Sequence, residues 1–146
     1  MGSQGCLGNG ILKDFETPYL LNAEAFDSAL EIKIKDICCG AYHSMALSAT
    51  SIVYSWGSNS RGQLGHGDTS NTLKPKKIEF FSSNKINIIM IDAGDQHSAA
   101  ISDSNELYTW GCGAYFRLGH GVALDQRLPK RVEVLEDVYV TKVRKK

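Results

Sequence analysis

Residues 53–67 read Val53-Tyr54-Ser55-Trp56-Gly57-Ser58-Asn59-Ser60-Arg61-Gly62-Gln63-Leu64-Gly65-His66-Gly67. Residues 107–121 read Leu107-Tyr108-Thr109-Trp110-Gly111-Cys112-Gly113-Ala114-Tyr115-Phe116-Arg117-Leu118-Gly119-His120-Gly121. The second stretch is the first again, 54 residues later. Extending the alignment outward without a gap sets Ile37–Ile78 over Ile91–Val132, with 15 of 42 positions identical. Gly40/Gly94, His43-Ser44/His97-Ser98 and Pro75-Lys76/Pro129-Lys130 are among them. A fixed period of this length marks an array of supersecondary units.

A third, partial copy opens the chain. Gly5-Cys6-Leu7-Gly8-Asn9-Gly10 matches Gly62–Gly67 at an offset of 57, and Pro18 then matches Pro75. The three extra residues fall in the connection Asn22–Glu31, where Asn22 could cap a helical turn. At the other end, Val140-Thr141-Lys142-Val143 resembles Ile34–Ile37 and Ile88–Ile91. The pattern therefore divides into 1–31, an incomplete first unit and its connection; 32–86 and 87–139, two units; and 140–146, the start of a further one.

Each unit has the periodicity of strands. Ile32, Ile34 and Ile37 lead to Gly40, and Ile88, Ile89 and Ile91 lead to Gly94. Met45 and Leu47 alternate with Ser44, Ala46 and Ser48, which predicts a half-buried second strand. Small polar residues (Ser48–Ser51, Ser102–Asn105) predict a tight turn into a third strand, Val53–Trp56 or Leu107–Trp110, with Tyr and Trp on one face. A glycine-rich loop then leads to a last strand near Lys76–Phe80 or Lys130–Val134, opened by a proline. Proline suits the start or edge of a strand, so this one should be outermost. Four short strands in about 54 residues form one antiparallel sheet, the unit of a propeller blade. The fold class is all-β, a partial β-propeller.

These residues resemble the repeat family of the regulator of chromosome condensation. The resemblance rests on Cys39-Gly40-Ala41-Tyr42-His43-Ser44-Met45-Ala46-Leu47, on Val53–Gly67 and on Pro75. It implies a seven-bladed propeller, of which this chain supplies about two and a half repeats. Phe116 and Arg117 stand where the family prefers Gly-Gln, so the second loop is expected to differ in conformation. A bare blade face exposes on the order of 500 Å². At about 25 cal/mol per Å², two such faces forgo on the order of 25 kcal/mol, so the chain is expected to belong to a larger propeller or to associate with other blades.

Composition excludes several classes. Sixteen basic and sixteen acidic side chains balance, so no global field favours nucleic acid or an anionic membrane. No apolar run approaches the roughly 18 residues of a membrane span. Cys6, Cys38, Cys39 and Cys112 form no C-x-x-C pair and read as reduced, which points to an intracellular setting, cytoplasm or nucleus. Gly111-Cys112-Gly113 begins a G-x-G-x-x-G pattern, but Phe116 replaces the third glycine and no helix follows. His43 and His97 are the obvious catalytic candidates. Their neighbours Ser44 and Ser98 point to the opposite face of a strand, so no Ser–His nucleophile pair is expected within a repeat. His66 and His120 read as structural, and Trp56 and Trp110 as core between blades. No enzyme activity, metal or cofactor is expected.

Recognition by a surface remains. The resemblance implies that the turns Gly40–His43 and Gly94–His97 lie on one face near the propeller axis, where Tyr42, His43, Asp95, Gln96 and His97 are the candidate partner-binding residues. It also implies a protein partner, with a Ran-like small GTPase, nucleotide exchange on it and chromatin as family precedents, or a recognition role within a larger ubiquitin ligase or kinase. The basic end Lys142–Lys146 is a weaker pointer to nucleic acid.

Overall fold

A computed structural model describes residues 4–26, 32–135 and 138–143. Two four-stranded antiparallel sheets carry the architecture. The first runs β1 (Ile34–Cys39), β2 (His43–Ser48), β3 (Val53–Gly57) and β4 (Thr72–Lys77) in sequence order. The second repeats it as β5 (Ile88–Ala93), β6 (His97–Ser102), β7 (Leu107–Gly111) and β8 (Gln126–Arg131). Every strand boundary recurs after 54 residues, and so does the register: His43 faces Gly57 as His97 faces Gly111.

The alternation in β2 has a different meaning from the half-buried strand expected of it. All six of its residues are buried. Met45 and Leu47 join Val53 in a cluster with Ile88, Ile91, Ala100, Tyr108 and Trp110 of the second sheet. The opposite face of the first sheet sets Ala46, Tyr54 and Trp56 against Phe26. Side-chain parity therefore selects which neighbour a residue meets, rather than core against water. Buried hydroxyls on these faces are bonded: Ser44 Oγ donates to the Cys6 carbonyl, and Ser48 Oγ accepts the Ile52 N–H.

The outer strands begin earlier than their prolines suggest. β4 and β8 start at Thr72 and Gln126, with Pro75 and Pro129 in their fourth positions. Each is the outer strand of its sheet and accepts one N–H from the preceding loop, Gly10 to Leu73 or Gly67 to Arg127, and each register slips opposite the proline, between Ser55 and Gly57 or between Thr109 and Gly111. An edge with a bulge tolerates a residue that has no N–H. The segment read as the end of this strand is instead a short helix, α1 (Glu79–Ser83), which drives Phe81 between the sheets. Its ring meets those of Tyr108 and Trp110 edge-on, each with centroids 5.8 Å apart. The second repeat replaces α1 by a 3₁₀ turn, Glu133–Leu135.

A 3₁₀ turn, Ala23–Phe26, occupies part of the Asn22–Glu31 connection, with the Asn22 carbonyl accepting the Ala25 N–H. The remainder of that connection, 27–31, lies outside the described residues, as do Arg144–Lys146 of the basic end. Residues 138–143 carry no strand.

Candidate functional site

The joint between the sheets is built from one backbone acceptor. Trp110 Nε1 donates to the Gln63 carbonyl at 2.9 Å, and Ser98 Oγ donates to the same oxygen at 2.8 Å. The preceding joint repeats the pair, with Trp56 Nε1 and Ser44 Oγ both donating to the Cys6 carbonyl. Such close approach needs a loop without side-chain bulk. Gly65 has φ +75°, and a Cβ there would stand 2.8 Å from Trp110 Nε1; Gly8 lies on Trp56 in the same way. A left-handed residue beside an indole has to be glycine.

His43 also bridges the joint. Its Nε2 lies 2.9 Å from Ser98 Oγ, and the imidazole is wholly buried. The neighbouring Ser44 turns away to Cys6, as strand parity requires, so the contact forms across repeats rather than within one. Because the Ser98 hydroxyl hydrogen goes to the Gln63 carbonyl, Nε2 must donate. That is the reverse of a general base drawing a proton from a nucleophile. The pair clamps two sheets and activates nothing.

The loop histidines are also structural. Ser55 Oγ donates to the Leu64 carbonyl at 2.6 Å and accepts from His66 Nε2 at 3.1 Å. Thr109 does the same with Leu118 and His120. Burial pushes the His66 pKa down to about 4, helped by the Lys76 charge, and burial also lowers that of His120. Both imidazoles are neutral in the folded chain near pH 7. Among the described residues no group of three His, Cys, Asp or Glu could hold a metal ion.

The turns Gly40–His43 and Gly94–His97 are joined by the Ala41 N–H, which donates to the Asp95 carbonyl at 3.1 Å. The Ser58 N–H bonds the Tyr42 carbonyl and the Cys112 N–H bonds that of Gln96, so both glycine-rich loops start at this same end. Arg61 and Asp125 bridge them at 3.3 Å. Of the residues expected to meet a partner, Tyr42 is 42% exposed, Asp95 is exposed, and Gln96 and His97 are half-buried. His43 is corrected: sealed between the sheets, it offers nothing to a partner.

The second loop keeps one turn of the first and differs beside it, where Tyr115 takes φ +58° within a 3₁₀ turn and its counterpart Arg61 is not left-handed. Phe116 takes φ +57°, the left-handed turn that Gly62 makes at +78°, and its carbonyl accepts the Gly119 N–H as that of Gly62 accepts Gly65. Phe116 is 62% exposed, next to Tyr115 at 87%, over which the Arg117 guanidinium lies. Two determinants of the joint escaped the sequence. They are the carbonyls of Cys6 and Gln63, which act through the backbone and leave the side chain free to vary.

Four-stranded sheets stacked face to face around a shared edge, each clasped to the last by an indole, a hydroxyl and an imidazole, define a wedge of a β-propeller. The repeat model of the Regulator of chromosome condensation (RCC1) matches residues 1–47, 52–101 and 104–144, and a second model of that repeat matches 34–63 and 88–117. The chain belongs to the RCC1 repeat family. It is 42% identical over 131 residues to the Ultraviolet-B receptor UVR8 of Arabidopsis thaliana, covering 90% of this chain and 28% of that one. It is 41% identical over 137 residues to the human E3 ubiquitin-protein ligase HERC2, covering 92% of this chain and 3% of the ligase. The crystal structure of Prp20p from Saccharomyces cerevisiae, reported with its binding to Gsp1p and histones, superposes with a TM-score of 0.73 at 23% identity, over 90% of this chain and 32% of that one. The chain thus spans under a third of each of these relatives. No helix among the described residues is long and apolar enough to cross a membrane.

Proposed function

We propose that the chain is a non-catalytic protein-interaction module, part of an RCC1-type propeller, organised as an incomplete unit (1–31), two blades (32–86 and 87–139) and the start of another (140–146). The partner meets the end carrying the axial turns. One observation carries this reading: the Ala41–Asp95 hydrogen bond joins successive turns into one strip, from which Tyr42 and Asp95 project. Rigid presentation of an aromatic and a carboxylate lowers the entropy lost on docking. A protein of the Gsp1p class and histones are the first partners to test, because the yeast relative is reported to bind both. In titration calorimetry with a Ran-type GTPase and with histones, Tyr42→Ala and Asp95→Ala each weaken binding at least tenfold, about 1.4 kcal/mol. Lys130→Ala, on the exposed edge strand, leaves it unchanged. Equal affinity across all three variants, or no binding to either protein, overturns the proposal.

A regulatory role inside a larger ubiquitin ligase or kinase is the second reading, favoured by the alignment with HERC2 over 92% of this chain. Nucleotide exchange on the GTPase is separable from binding: release of a fluorescent nucleotide that the chain does not accelerate removes exchange while leaving the docking surface. The setting proposed for these interactions is intracellular, cytoplasm or nucleus.

A further inference from the structure

Two of the four free cysteines touch the same hydroxyl, Cys6 through its carbonyl and Cys39 through its sulfur. Ser44 Oγ is bonded to the Cys6 carbonyl at 2.9 Å, and Cys39 Sγ lies 3.7 Å from the same hydroxyl. Cys39 pairs directly with Ser44 across β1 and β2, so its side chain stands on the face that receives the N-terminal loop. The equivalent positions at the next joint are Gln63, Ser98 and Ala93. There a redox-inert trio stands on the same scaffold, with Ala93 buried. At the first joint Cys39 is exposed and Cys6 is half-buried, so an oxidant in solution reaches Cys39 more readily than Cys6. Burial raises the Cys6 pKa, and the nearby Cys39 adds to it, whereas Cys38 is held far above the ordinary thiol range, chiefly by burial.

We propose that Cys6 and Cys39 form a redox latch, a reversible disulfide that ties the N-terminal partial repeat to the innermost strand of the first sheet. With a peroxide as oxidant, the Cys39 thiolate attacks one peroxide oxygen, giving the sulfenic acid and releasing hydroxide. Cys6 sulfur then attacks the Cys39 sulfur, forming the S–S bond and expelling the hydroxyl as water once a proton is supplied. The two thiols are oxidised, and one peroxide is reduced to two waters. A dithiol reductant reverses the step by exchange.

Closing the covalent loop from residue 6 to residue 39 restricts escape of the N-terminal segment from Trp56. By the loop-closure estimate this opening becomes rarer by roughly five-hundredfold. The test treats the native chain with a slight excess of hydrogen peroxide, blocks remaining thiols and maps the peptides without reduction. A 6–39 linked peptide is expected as the dominant disulfide in native protein. It should dissolve into a mixture when the same oxidation is done in guanidinium. Amide exchange across residues 7–22 should slow at least tenfold on oxidation and recover on adding dithiothreitol. Cys38→Ser and Cys112→Ser keep both effects, and Cys6→Ser loses both. A native map without the 6–39 link, or one indistinguishable from the denatured map, overturns the latch. Linkage without any change in exchange overturns its action on the N-terminal segment.

Discussion

The Gln63 carbonyl makes the joint between sheets testable by a double-mutant cycle. It accepts from both Ser98 Oγ and Trp110 Nε1, and all three residues are essentially sealed from water. Ser98→Ala removes one donor and also takes the acceptor from His43 Nε2, which should cost about 1–3 kcal/mol. Trp110→Phe keeps a ring for Phe81 to pack on but removes the other donor, at about 1–2 kcal/mol including the smaller ring. In either single variant the carbonyl keeps one partner. In the double variant it keeps neither, and a buried carbonyl without a donor adds about 1–3 kcal/mol beyond the sum. Urea unfolding followed by far-UV circular dichroism reads this as a larger midpoint shift at unchanged slope. The matching cycle at the first joint, Ser44→Ala with Trp56→Phe, should show weaker coupling. Trp56 is slightly exposed and Cys6 half-buried, so water can reach the stranded oxygen. Additivity within about 0.5 kcal/mol at the second joint would refute the shared-acceptor account.

Two further outcomes follow from single residues. Gly65→Ala should destabilise the chain by about 2–4 kcal/mol, since backbone strain and a clash with Trp110 combine. Gly121→Ala, with φ +72° but nothing near its missing Cβ, should cost only about 1 kcal/mol, and equal losses in thermal unfolding would argue against the clash. On acidification, the unfolded chain protonates His66 near 6.5 while the folded one resists to about 4. The unfolded state thus binds more protons in that window, and stability falls as pH drops through it, by about 1–2 kcal/mol after allowing for solvent. His66→Gln should flatten this slope; an unchanged pH profile would show that the imidazole is not the group responsible.

Much of this architecture was written in residue types. Trp56 and Trp110, the paired His-Ser steps and the glycines of each loop announced both the period and the inner three strands, because side-chain chemistry does the work at those places. Where the backbone does the work, the letters were silent. Cys6, Gln63 and Arg117 share no side-chain property, yet they hold corresponding positions, and at the first two the carbonyl is the acceptor that joins neighbouring repeats. The outer strands were misplaced because Pro75 was read as an opening, whereas a slipped edge register lets it sit inside. Phe80 and Phe81 suited a strand equally well; only the gap beside Tyr108 and Trp110 turns that segment into a helix. The exposure of Tyr42 and Asp95 was legible from the turns that carry them. The burial of His43 was not, because its partner Ser98 lies 55 residues away in another sheet.

The sequence period and the sheet are out of phase. The match at residues 52–101 begins beside β3 of one sheet and ends within β6 of the next, so one matched repeat carries the Gln63 acceptor and the Ser98 donor of a seam instead of one finished wall. Duplicating or excising such a copy splices the latter half of one sheet to the former half of another, and the new neighbours meet through the same indole and hydroxyl as the old. Growth by tandem copying can therefore lengthen the array without any new contact having to be invented, much as a zip is extended by adding teeth rather than by redesigning the slider.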